Sequence, residues 1–87
     1  MEYKELKVSK TTDPKKLAGT IKHYIRSGRA CRLAAMGPKT IVISAKSVAL
    51  LKTLFDLKYT CTISYFDVRK GDHKISGLHF VIKDSLI

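Results

Sequence analysis

Punctuation constrains this chain more than any other feature, because it cuts the sequence into short segments of regular period. Asp13-Pro14 is a strong helix start: a capping carboxylate followed by proline at the first helical position. Gly28 stands where a left-handed residue would end that helix. Gly37-Pro38 stops the next segment. The polar stretch Asp67-Val68-Arg69-Lys70-Gly71-Asp72-His73-Lys74 separates the last two and reads as an extended hairpin arm.

Between these marks the period alternates between two and about 3.6. Leu6 and Val8 alternate with Lys7 and Ser9, a short first strand. Leu17, Ala18, Ile21, Tyr24 and Ile25 recur at helical spacing, with Lys15, Lys16, Lys22, Arg26 and Arg29 on the other faces. Cys31, Leu33 and Ala35 alternate with Arg32, Ala34 and Met36, a second strand. A second helix is expected from about Thr40 to Phe55. Tyr59 to Phe66 is the strongest strand, aromatic and β-branched, with Cys61, Ile63 and Tyr65 set against Thr60, Thr62 and Ser64. The last strand starts at Ile75 or Ser76 and ends at Lys83, with Leu78, Phe80 and Ile82 on one side.

The order β-α-β-α-β-β predicts an α/β chain, an α+β two-layer sandwich whose four-stranded mixed sheet is covered by two helices. A length of 87 residues makes this one domain, 1–87, with a modest core. The second helix is apolar nearly all round, from Ile41 to Phe55. One face would cover the sheet, so the remainder predicts an interface, with Val48, Leu51 and Phe55 in a homodimer contact.

Charge points to the partner. From Lys15 to Lys52 the chain carries nine basic side chains, and no carboxylate falls between Asp13 and Asp56. The net charge of +10 is therefore concentrated in the first two-thirds. Such a field attracts polyanions, because each neutralised phosphate releases condensed counterions. The residues from which contacts would be drawn are Lys10, Lys15, Lys16, Arg32, Lys39, Lys46, Arg69, Lys70 and Lys74. At Gly37-Pro38-Lys39-Thr40 a strand hands over to a helix, whose first N–H groups favour an anion.

Other chemistries find little support. There is no nucleophile elbow, the carboxylates are scattered, and no histidine has an evident local partner, so no enzyme activity and no cofactor are expected. Cys31 and Cys61 show no CxxC spacing and three scattered histidines complete no metal set, so two free thiols in a cytoplasmic protein are expected. Met-Glu-Tyr-Lys-Glu does not open a signal peptide, and no apolar run has the length of a membrane span. Most tyrosines and phenylalanines are assigned to packing. Of Tyr65 and Phe66, alternation leaves at most one exposed on that strand. Backbone-dominated binding of DNA or RNA, with little sequence preference, is expected.

Leu6-Lys7-Val8-Ser9, Pro14, Ala18-Gly19, Gly37, Lys46 and Ala49 occur at spacings that resemble the stage V sporulation protein S family, within the Alba-like superfamily. The resemblance runs from about Leu6 to Ile82. It implies a dimeric nucleic-acid binder with sheet order 1-2-4-3 under two helices. It further implies backbone contacts from the loops after the first and second strands, where Lys10 and Lys39 stand, and a groove contact from the arm with Arg69, Lys70 and Lys74. The family is linked to sporulation and septation, and a place at the nucleoid would fit. The alternative reading is a regulatory module whose apolar second helix binds another protein, the charge serving only solubility.

Overall fold

The computed structural model describes residues 3–85. Its elements are β1 (Tyr3–Lys7), α1 (Pro14–Arg26), β2 (Ala30–Met36), α2 (Pro38–Phe55), β3 (Tyr59–Lys70) and β4 (His73–Asp84). The sheet runs β1-β2-β4-β3, with β1 parallel to β2 and β4 antiparallel to both β2 and β3. This is the expected order and the expected mixed sheet. Each helix crosses over between parallel strands, and the final hairpin slots β4 between β2 and β3.

Local chemistry sets the helix ends. Asp13 accepts a hydrogen bond from the Lys15 backbone N–H at 3.0 Å, and Pro14 opens α1. Beyond Arg26, Gly28 takes φ +84° while its N–H bonds to Ile25 and that of Arg29 to Tyr24. This is the Schellman pattern, which satisfies carbonyls the helix leaves unpaired. α2 starts at Pro38, two residues earlier than the apolar pattern suggests. The Thr40 hydroxyl donates to the carbonyls of Met36 and Gly37 at 2.6 and 2.9 Å, tying the first turn to the end of β2. β1 also begins earlier than the alternation of Leu6 and Val8 indicates. Val8 still donates to Ala34 at 3.4 Å, after which Ser9 turns away.

Both helices lie on one face of the sheet. There Cys31, Leu33 and Ala35 of β2 and Phe80 and Ile82 of β4 are buried with Leu17, Ala18, Ile21 and Ile25 of α1 and Ile43, Val48 and Leu51 of α2. The inner stripe of α2 also carries Thr40, Ser44 and Ser47. The Ser44 and Ser47 hydroxyls donate to the carbonyls of Thr40 and Ile43 at 2.8 Å, so these small residues are buried without an unmet donor.

This corrects the expected interface. Val48 and Leu51 face inward, and Leu51 has no exposed surface at all, so neither is presented to a partner. Phe55 is half-buried, with the Lys22 ammonium 4.4 Å from its ring centroid. The apolar residues that α2 turns outward include Val42, Ala45, Ala49 and Leu54.

The helices cover only the start of β3, where the Tyr59 hydroxyl donates to the Val48 carbonyl at 2.8 Å and Cys61 packs against the core. Ile63 and Tyr65 share the helix-side face with Phe80 and Leu78, yet they are 57% and 83% exposed. The other side of the sheet has no layer above it among the described residues. There Lys7, Arg32, Ala34, Met36, Thr62, Ser64, Phe66, His79 and Val81 are all half-buried or exposed.

Candidate nucleic-acid interface

Strand register brings the expected basic residues to one end of the molecule. β2 finishes at Met36, which pairs with Gly77. Gly77 in turn pairs with Phe66, and the β3–β4 ladder runs on for four more pairs: Asp67 with Ser76, Val68 with Ile75, Arg69 with Lys74, and Lys70 with His73. About 13 Å of two-stranded ribbon therefore stands clear of the sheet. Gly71 at φ +59° closes it with a two-residue turn. The segment read as a polar arm is continuous strand up to that turn. It protrudes past the C-terminal ends of β1 and β2, where both strand-to-helix loops lie.

The loop after β1 is tight. The Thr12 N–H donates to the Ser9 carbonyl at 3.2 Å, and the Ser9 N–H donates to the Thr12 hydroxyl at 2.9 Å. Lys10 is exposed on that turn. The loop after β2 places Lys39 in the first turn of α2, also exposed. The two helix starts differ: α1 is capped by the Asp13 carboxylate, whereas Gly37 supplies no side chain to cap α2. The first N–H groups of α2, beside Lys39, face the end of the sheet from which the arm projects. An anion there meets the positive end of the helix dipole.

On the arm, Arg69, Lys70 and Lys74 are exposed. Arg69 and Lys74 sit opposite each other on one side, and Lys70 and His73 on the other. Lys74 Nζ lies 3.4 Å from Asp67 Oδ2, and the Ser76 hydroxyl donates to Asp67 Oδ1 at 2.8 Å. The hydrogen bond from Ser76, helped by Lys74, holds the Asp67 carboxyl below the usual carboxylate range. Of the two cations on that face, Asp67 engages Lys74 and not Arg69.

Of the remaining candidates, Lys15 and Lys16 flank this end at the start of α1, and Lys46 and Arg32 lie farther from it. Lys15 and Lys46 line a groove of about 520 Å³ between the start of α1 and the middle of α2, floored by Pro14, Ala49 and Leu50. Lys16 is exposed on the first turn of α1. Arg32 stands on the uncovered sheet face, four residues before the end of β2, ion-paired with Glu5. That pairing sets it apart from the cluster of loops and arm. Ile63 and Tyr65 alternate with threonine and serine as a buried strand face does, so no local pattern marks both as surface residues.

Cys31 and Cys61 are free thiols. Among the described residues no group of three or more His, Cys, Asp or Glu could hold a metal ion. Nor is any described helix long and apolar enough to cross a membrane.

Curated proteins offer no match to this sequence. The model of the stage V sporulation protein S family, by contrast, matches residues 4–85, from β1 to just beyond β4. With nearly the whole chain covered, this protein belongs to the stage V sporulation protein S family.

Proposed function

We propose that this protein binds DNA or RNA, chiefly through backbone phosphates, using the end of the sheet where Lys10, Lys39 and the arm residues Arg69, Lys70 and Lys74 converge. The observation that carries this is the β3–β4 register, which extends the hairpin past Met36 at the end where both strand-to-helix loops emerge. A net charge of +10 supplies long-range attraction. Lys15, Lys16 and Lys46 form a flank that a longer duplex would meet. The protein acts without catalysis, in the cytoplasm and at the nucleoid. Family membership supports a role related to sporulation.

The protein works as a homodimer. Ile63 and Tyr65 on β3 and Val42 on α2 are large side chains left exposed, and β3 is a twelve-residue edge strand. Open edges and exposed apolar side chains of this kind are commonly covered by association.

Binding of a fluorescent duplex, the matching single strand and the matching RNA across a salt series tests the reading. Micromolar or tighter affinity should fall with salt at a log–log slope of about −0.9 per phosphate contact on duplex DNA. No binding at low salt refutes it and favours the protein-interaction alternative.

A further inference from the structure

The uncovered sheet face differs in chemistry from the basic end. Across its middle, Phe66 and His79 stack with centroids 4.1 Å apart and an interplanar angle of 13°. Gly77 makes room for this pair, since a Cβ there would meet Phe66 Cζ at 2.6 Å. Around the two rings lie Ala34, Met36 and Val81, with the hydroxyls of Thr60, Thr62 and Ser64 along β3. Cations form the rim: Lys7 on β1, Lys83 on β4 and Lys70 on the arm. Tyr3 joins the same face, with the Lys83 ammonium 5.7 Å from its ring centroid. Among the described residues, the strand carboxylate on this face is that of Glu5, which is engaged by Arg32.

We infer that this sheet face is a second nucleic-acid surface, specific for single strands, on which bases stack against the Phe66–His79 pair while Lys7, Lys70 and Lys83 meet the phosphates. Half-buried aromatic rings inside a basic rim are what an unpaired strand requires. Every base has a π-face to stack, and the backbone follows positive charge. A duplex presents its bases edge-on within grooves, so it gains nothing from these rings. A protein partner would gain little from a rim of like charges. This surface goes beyond the phosphate contacts of the loops and arm, and strand preference tells the two apart.

The test measures anisotropy of labelled oligo(dT), oligo(U) and a duplex at one salt concentration, for the wild type and for Phe66→Leu, His79→Leu and Phe66→Tyr. Urea melts follow the fold of each variant, and His79→Leu keeps the test alive should Phe66→Leu unfold. Single-strand affinity should drop roughly tenfold in each leucine variant, hold in Phe66→Tyr, and leave duplex affinity unchanged. Equal losses on duplex and single strand, or no loss on either, would overturn the inference. A wild type that binds duplex but no single strand overturns it while leaving the phosphate reading intact. A wild type that binds neither sinks both. Leucine variants that change sedimentation but not single-strand binding assign the face to protein contact, and that too overturns it.

Discussion

Phe66 lies across Gly77, its directly paired neighbour on β4, so closely that a Cβ at Gly77 would meet the ring at 2.6 Å and the Ala35 carbonyl oxygen also at 2.6 Å. The ring can swing away, but the carbonyl belongs to the β2 backbone and cannot. Gly77→Ala should therefore destabilise the fold by about 1–3 kcal/mol. Adding Phe66→Ala should recover only the part due to the ring. Urea midpoints of the two single variants and the double variant check this, and full recovery would contradict the role given to Ala35.

Alkaline pH acts on the core through Cys31. The thiol has no exposed surface, and burial pushes it from 9.0 up to about 11, with Arg29 and Lys4 pulling weakly the other way. Because the folded value lies above the unfolded one, the neutral thiol's contribution is complete below pH 9 and is lost as pH rises towards 11. The loss is on the order of 2 kcal/mol. Burial also raises Cys61 and Tyr59, so Cys31→Ala should flatten the decline in part and not abolish it. Urea denaturation from pH 8 to about pH 11 measures both slopes.

Much of this architecture was legible in the sequence because its boundaries are chemical. Asp13-Pro14, Gly28 and Gly37-Pro38 each act within a few residues, and the structure keeps each as an element end. Inward and outward sides of α2 were not legible. A helix with aliphatics on most of its circumference gives no direction, and the inner stripe is marked instead by Ser44 and Ser47, whose hydroxyls bond within the helix. Exposure of Ile63 and Tyr65 was hidden for a related reason. Alternation tells which face of a strand a residue shares, but not whether a helix reaches that far. For the basic end, Lys10, Lys39 and Arg69 could be named from loop position and charge. Their convergence depends on the pairing of Met36 with Gly77, a long-range register that no local pattern encodes.

Reversing Lys39 and Arg69 tests that convergence. The proposed contacts make each a phosphate ligand, so Lys39→Glu with Arg69→Glu should weaken duplex binding and reduce the magnitude of the salt slope by about 2. The same exchange at Arg32, already paired with Glu5, should change the slope far less. Both side chains of the double variant are exposed, so its urea midpoint should stay near that of the wild type. An unchanged slope in a folded double variant would remove these residues from the interface.

Association and folding should separate cleanly between two sets of apolar residues. Leu51 is fully buried within one chain, so Leu51→Ala should cost about 2–5 kcal/mol in urea denaturation while any folded protein keeps its oligomeric state. Ile63 and Tyr65 are largely exposed on the edge strand, so an aspartate at either position costs a lone chain little. In the proposed homodimer, however, the same change would bury an unpaired charge. Ile63→Asp and Tyr65→Asp should shift sedimentation from dimer to monomer with nearly unchanged far-ultraviolet circular dichroism. Monomeric wild type would refute the homodimer, and dimers that survive both aspartates would move the interface away from β3, leaving the large outward residues of α2, Val42 and Leu54, as the next place to test.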